Sequence, residues 1–480
     1  MTRTLSSALS GAILTMLLAG CVLPPKDSHR TAPLEAQQLG LTAAAMAPAD
    51  PQWWKAFHDA QLDQLIEQSF AANPSLAQAQ AQLQSALSQV DVARAGRLPQ
   101  VNLSGSVQRE HGPEFYVIPP PLAGHDFWMS QIGANLTWDL DFWGRQADSI
   151  AAAGALAQAA DLERDNARLL LSASLAQAYV GLYRADALAE IAERSEAQRQ
   201  HILDLTQQRV AAGLDTRLEL REAESALPQA RVERSQAQAQ ADLAVHTLAM
   251  LAGRGVDAYA SITRPQFDLD SALPLPEELP INLLARRPDV LAARLRIEAA
   301  DEARRSARAA FYPDVSLNAL AGFGSFSIAD LIELPARNLA VGPAISLPLF
   351  DAGRLRAEYR GREAAIDAAV ATYNDTVLRA VRQCADELTR IDALRHQRVD
   401  QQATLAAAED AYRIAEERYR AGLAGYLSVL TAETQVLSAR RENVQIQSDL
   451  ALARIDLLLE LGGSFDPNAH SNSSIARNSP

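Results

Sequence analysis

The chain has 480 residues and a formal net charge of -14, with 58 acidic against 44 basic side chains. That balance argues against a nucleic-acid partner, which would call for clustered Lys and Arg. It contains only two cysteines, Cys21 and Cys384, so at most one disulfide could form, and none if Cys21 is modified.

Residues 1–20 carry one cation, Arg3, then an apolar core around Ala12-Ile13-Leu14 and Met16-Leu17-Leu18. This reads as a signal peptide, too short for a stable membrane span. The run Leu18-Ala19-Gly20-Cys21 that closes it resembles the bacterial lipobox, so Cys21 is the expected lipidation site. Val22 rather than Asp follows, which by resemblance to sorted lipoproteins favours the outer membrane. Residues 21–50, with Pro24-Pro25, read as a lipidated tether, and the Ser-, Asn- and Pro-rich stretch 464–480 as a disordered tail. No later segment offers some ~18 uninterrupted apolar residues. If the protein crosses a membrane, it does so as strands.

Between tether and tail the same unit is written twice. Gly144-Arg145 recurs as Gly353-Arg354, Gly213-Leu214 as Gly422-Leu423, and Gly253 as Gly462, each pair 209 positions apart. Ala93-Arg94-Ala95 returns as Ala307-Arg308-Ala309 at a shift of 214. Long segments that keep their spacing around one tolerant loop imply a repeated scaffold. The expected division is a first repeat over 51–253, a linker over 254–280 and a second repeat over 281–463.

Within each copy a strand rhythm comes first. Val101, Leu103, Gly105 and Val107 alternate with Asn102, Ser104, Ser106 and Gln108, and in the second copy Val315, Leu317, Ala319 and Ala321 alternate with Ser316, Asn318 and Gly322. That is the period of a strand with one wet face. Return strands are expected at Ile132–Trp138 and near 339–349, giving hairpins over about 100–138 and 314–350. Pro343 weakens the second, since it cannot donate to a ladder. Strands of about ten residues are long enough to cross a bilayer at a tilt, but four cannot close a barrel, so the chain must pool strands with copies of itself. A soluble hairpin packed on helices is the plain alternative.

Long helices follow each hairpin. Between Gly353 and Gly422 there is no proline, and Val370, Tyr373, Val377, Val381, Cys384, Leu388 and Ile391 recur at alternating spacings of three and four. The first copy places Leu162, Leu169, Ala176 and Tyr183 seven apart. A helix from Gly144 to Gly213 would be about 100 Å long. Cys384 lies in the seam and reads as a core residue. Each long helix turns back at glycine, and a second helix of about 40 residues runs to Gly253 or Gly462, with Pro228 expected to interrupt and kink the first.

Pro51-Gln52-Trp53-Trp54 followed by Phe57, Asp59, Leu62, Leu65 and Ile66 resembles the entry segment of the TolC-like outer-membrane efflux factors, especially their lipoprotein, NodT-like branch. So do Trp138-Asp139-Leu140-Asp141-Phe142-Trp143-Gly144-Arg145, Arg286-Arg287-Pro288-Asp289-Val290 and Leu347-Pro348-Leu349-Phe350-Asp351-Ala352-Gly353-Arg354. The resemblance implies a mainly α fold with membrane β structure: a long antiparallel α-helical coiled-coil barrel plus four strands per chain, given to the twelve-strand outer-membrane barrel of a homotrimer. It also implies an exit duct without cofactors, working with a periplasmic adaptor and an inner-membrane pump. By the same resemblance the turns at Gly213 and Gly422 form the periplasmic tip. Asp215, Glu219 and Glu222 are then candidates for the gate, although Ser428 and Thr431 stand where the second copy often has Asp. Arg209, Gly213, Arg418, Tyr419, Arg420 and Gly422 are candidates for adaptor contact.

An enzyme is a weak reading: the eight His are scattered, and there is no Walker-type phosphate loop and no cysteine cluster. The stronger rival is a lipid-anchored periplasmic coiled coil, an adaptor or spacer. It would have no membrane strands, and an adaptor would carry a lipoyl-like β domain for which no segment is evident.

Overall fold

A computed structural model describes residues 31–39, 50, 52–115, 122–266, 286–463 and 465. The expected signal peptide, Cys21, most of the tether, the linker beyond 266 and all of the tail but residue 465 fall outside the described residues. A 3-10 turn, Trp53–Phe57, buries both tryptophans and Phe57. It leads into α1, Ala60–Ala72, whose N-cap Asp59 accepts from the N–H groups of Gln61 and Leu62. Helix α2, Pro74–Gly96, opens on a proline, whose missing N–H would have found no intrahelical acceptor there.

Strands β1, Gln100–His111, and β2, Asp126–Asp139, precede α3, Arg145–Ala211, and α4, Arg217–Leu251. The order then recurs with α5, Pro288–Ala309, β3, Asp314–Ser325, β4, Arg337–Ser346, α6, Arg354–Arg420, and α7, Tyr426–Glu460. Helices α3 and α6 have 67 residues each, α4 and α7 have 35 each. The two copies are thus matched turn for turn.

The repeated glycines explain how that match is kept. All six have positive φ: 77° and 89° at Gly144 and Gly353, 72° and 76° at Gly213 and Gly422, 71° and 87° at Gly253 and Gly462. The last pair is also held by close approach. A Cβ on Gly253 would lie 2.7 Å from the Ala72 carbonyl oxygen, and one on Gly462 would lie 2.3 Å from that of Arg286. Ala72 and Arg286 are themselves 214 apart, two residues before Pro74 and Pro288. Each return helix therefore ends against the chain entering a short helix, at a distance that excludes any side chain.

The chain divides into two compact units. One contains Gln82–Ala160 and Ala292–Tyr373, and holds the antiparallel sheet in the order β1-β2-β3-β4. The other contains Leu34–Ala81, Asp161–Leu291 and 374 onward. In it, Trp53, Trp54, Phe57, Leu62 and Ile66 pack with Leu175, Tyr179, Leu248 and Ile455 in one core, while Ile202, Leu227, Tyr412, Tyr419 and Val436 form another. The α6 seam is buried at Val370, Tyr373, Val377, Cys384 and Ile391, with Val381 and Leu388 partly buried beside it. Burial pushes the Cys384 thiol up to about 12, so it stays protonated in the core.

Three expectations change. Pro228 does not interrupt α4, which runs through it as one helix: the proline sits on the exposed side, and only a single backbone donor is lost. β2 begins at Asp126, six residues before Ile132, because its ladder with β1 continues to the His111–Asp126 pair. The second hairpin leaves the sheet after Ser346. Pro343 is kept within β4, an edge strand of this chain, where a missing donor is tolerated.

Replacing Gly462 with Ala should be far more damaging than replacing Gly422. Both lose a left-handed glycine, a loss of about 1 kcal/mol. Only at Gly462 does the new Cβ strike backbone, since at Gly422 the nearest atom is Arg209 Nη1 at 3.7 Å. Thermal unfolding followed by circular dichroism should give a drop for Gly462→Ala at least twice that of Gly422→Ala.

Candidate functional site

Residues paired across an antiparallel ladder share a face, so the register sorts the sheet into two surfaces. One carries Val101, Leu103 and Val107 with Trp128, Ile132, Leu136 and Trp138, continued by Val315, Leu317 and Phe323, then Leu339, Val341 and Ile345. Most of these are exposed in the single chain: Leu103 is 75% exposed, Val341 76% and Ile345 73%. The opposite surface carries Asn102, Ser104, Ser106 and Gln108 beside Gln131, Asn135 and Thr137, and Asn318 on β3. There Gln131 Nε2 donates to Ser106 Oγ at 3.0 Å and Asn135 Nδ2 to Ser104 Oγ at 2.9 Å. Between Glu110 and Asp139 no ionisable side chain stands on this polar surface.

A second constellation lies at the glycine turns. Arg209, in the last turn of α3, reaches across Gly213 and holds Asp215 with both ends of its fork, Nε to Oδ2 at 2.9 Å and Nη2 to Oδ1 at 3.0 Å. Its third arm, Nη1, donates to the Tyr419 carbonyl at 2.7 Å, and its guanidinium carbon lies 4.6 Å from the centre of the Tyr419 ring. Tyr419 OH donates to Asp215 Oδ2 at 2.6 Å and meets Thr206 Oγ1 at 2.8 Å. Tyr419 is fully buried and the Arg209 and Asp215 side chains are nearly so. One charge pair, closed by a tyrosine from the other copy, therefore binds the two turns together.

Electrostatics follow from these contacts. The Arg209 bond, with help from Tyr419, holds the Asp215 carboxyl below the usual carboxylate range. Burial, then the adjacent carboxylate, pushes the Tyr419 hydroxyl up to about 12.

The other expected site residues are placed as follows. Glu219 closes a capping box with Thr216: it accepts from Thr216 N at 2.9 Å and from the Thr216 hydroxyl, while Thr216 Oγ1 accepts from Leu218 N at 3.1 Å. Glu222 is half-buried one turn further along α4. Gly213, Arg418, Arg420 and Gly422 are exposed, whereas Arg209 and Tyr419 are taken up inside the turn and present little surface. Arg420 pairs with Glu416 at 2.8 Å. The second copy lacks the acids: the N-cap of α7 is Gly425, which has no side chain to cap it, and Ser428 and Thr431 are exposed. Sequence reasoning missed Thr206 altogether and gave Tyr419 the wrong setting. The Thr216-Arg217-Leu218-Glu219 signature was available to it.

Among the described residues no three His, Cys, Asp or Glu side chains are grouped to hold a metal ion, and no helix is long and apolar enough to cross a membrane. The sheet is the part suited to lipid. A family model for outer membrane efflux proteins matches residues 65–254 and 279–463. The chain belongs to the outer membrane efflux protein family.

Relatives agree along the chain. The multidrug resistance outer membrane protein MdtP of Escherichia coli K12 is 30% identical over 477 residues, covering 96% of this chain and 98% of that protein. The fusaric acid resistance protein FusA of Burkholderia cepacia is 35% identical over 369 residues, covering 75% of this chain and 69% of its own. Among solved structures, the outer membrane protein VceC of Vibrio cholerae is 34% identical with a TM-score of 0.80, covering 88% of this chain and 100% of that one. Membership makes this molecule an outer-membrane efflux channel whose helices lie in the periplasm.

Because the folded Asp215 carboxyl is depressed, the stability it contributes is present at neutral pH and is lost as pH falls through and below about 4. Asp215→Asn should therefore melt several degrees below the wild type at pH 7, and the gap should shrink as both are titrated towards pH 3. Calorimetry of the detergent-solubilised protein across that range checks it.

Proposed function

We propose that this channel is the exit duct of a tripartite efflux system, passing drugs or other small molecules from an inner-membrane pump and a periplasmic adaptor to the exterior without chemical change. Substrate class is suggested by relatives named for multidrug and fusaric acid resistance. The carrying observation is the two-faced sheet that ends on open edges at β1 and β4 within the chain. Three copies would join those edges into twelve strands, apolar outside and amide-lined within. The two repeats, 51–253 and 281–463, are then the two pseudo-equivalent staves that each subunit gives to the wall, and no catalytic group is called for. The lipobox supports acylation of Cys21 and anchorage of residues 21–50 in outer-membrane lipid after removal of 1–20.

The helical turns are the proposed tip. Exposed Leu214 and Leu218 recur 209 residues on as exposed Leu423 and Leu427, so each turn offers the same apolar pair beside Gly213 or Gly422. With Arg418 and Arg420 alongside, this surface suits an adaptor, while Arg209 and Tyr419 serve it from beneath by fixing the turn. Asp215, Glu219 and Glu222 are the proposed acidic side of the gate. Asp215 acts there as a latch between copies: releasing it frees Arg209 and Tyr419 together.

Three measurements test this reading. Outer-membrane fractions should give a heat-modifiable trimer band, and labelled palmitate should enter the wild type but not Cys21→Ser. A detergent-solubilised monomer would sink the duct. In planar bilayers Asp215→Ala should raise open probability several-fold, and an unchanged open probability and cation selectivity would remove Asp215 from the gate.

A further inference from the structure

Arginines of this acidic chain gather at the ends of several helices. Residues 94–97 hold two arginines, 304–308 three behind Asp301 and Glu302, and 354–362 four around Glu358. These are the end of α2, the end of α5 and the start of α6, where helices meet the base of the sheet. Several serve the fold: Arg304 is buried, donates to the Tyr359 hydroxyl at 3.0 Å and pairs with Asp301, Arg305 pairs with Asp301 and Glu302, Arg94 with Asp91, and Arg354 with Glu358 at 2.9 Å. Arg97, Arg308 and Arg356 are exposed and have no acid partner among the described residues.

Aromatic contacts tie this collar to the apolar surface of the sheet. Trp138, on that surface, donates from Nε1 to the Arg97 carbonyl at 3.1 Å. Trp143 donates to the Pro313 carbonyl at 2.8 Å and stacks on Tyr312 with ring centres 4.9 Å apart. Tyr312 N bonds in turn to the carbonyl of Ala309, the neighbour of Arg308. Gly96, Arg145, Ala309 and Arg354 line one cavity, so the ends of α2, α3, α5 and α6 converge there. Trp138 and Trp143 nevertheless stay 37% and 51% exposed.

We propose that Arg97, Arg308 and Arg356, with Trp138 and Trp143, form a collar that binds the phosphates of anionic phospholipids in the periplasmic leaflet of the outer membrane. The inference rests on the sheet being the membrane-spanning part. Tryptophan settles at headgroup depth, where the anion a bilayer presents is phosphate, and the guanidinium fork matches phosphate oxygens. Unpaired cations near a membrane surface gain from acidic lipid, whereas the same charges add nothing to the packing of the helices. The collar would fix the depth of the barrel and bias its first shell towards acidic lipid.

The test uses full-length protein in phosphatidylcholine vesicles doped equally with brominated phosphatidylglycerol or brominated phosphatidylcholine, reading quenching of tryptophan fluorescence. The wild type should be quenched about fivefold more effectively by the glycerol lipid, with the preference falling as salt rises. Arg97→Gln/Arg308→Gln/Arg356→Gln should reduce it to parity. A variant with the same change in net charge at Arg221, Arg379 and Arg413 should keep it. Equal quenching of the wild type by the two lipids, indifference to salt, or a preference that survives the collar variant would overturn the collar while leaving the channel intact. The salt arm needs only wild-type protein and decides the matter even if the variant fails to fold. Absence of quenching by either lipid would remove both the membrane position of the sheet and the collar.

Discussion

In hydrocarbon, a backbone N–H or C=O without a partner costs several kcal/mol, and no side chain repairs a whole row of them. The sheet of this protein ends on two such rows, one along β1 and one along β4. Its apolar surface cannot remain in water either: side chains such as Leu103, Val341 and Ile345 would each give up about 25 cal/mol for every Å² left wet. The surface forces the sheet into lipid, and lipid in turn forces its edges to be joined. Amides and hydroxyls on the other surface then have to face an aqueous interior, where their bonds to one another are short and local.

The helices obey a different constraint. Their packed faces use much alanine, which brings axes close but buries little area per residue. Arginine from inside the bundle supplies the missing specificity. Arg199 of α3 donates to Glu433 of α7 and to the Ala226 carbonyl of α4, both at 3.1 Å. Arg287 holds Asp289 with two bonds and reaches the Glu460 carbonyl at 3.0 Å. Burial pushes the Glu433 carboxyl up while Arg199 draws it down. Such pairs add little net stability, but losing one partner strands a buried charge, so they act mainly to define register between neighbouring helices.

Much of this was legible in the residues. Glycines repeated at one spacing located both ends of each long helix and the close of each return helix, because a left-handed position is hard to fill otherwise; the alternation at Val101 to Gln108 located a two-faced strand. The first half of β2 was hidden, since Phe127 to Ser130 breaks the alternation and only pairing with β1 extends it. Pro228 misled because local propensity was overruled by the burial of one face of α4, at Ala223, Leu227 and Ala230, which leaves the proline on the exposed side. Asp215 was singled out for its charge, yet its neighbours could not be named: Tyr419 lies 204 positions away, and nothing local announces a contact that only two matched helices create.

The equality of the helices has an evolutionary corollary. Inserting one residue into α3 alone would turn everything beyond it by about 100° and advance it by about 1.5 Å. Tyr419, carried by the unaltered α6, would then meet empty space where Arg209 had been. Drift in length is therefore confined to hairpin tips and linkers, and the two copies must inherit any change of tunnel depth as a simultaneous pair.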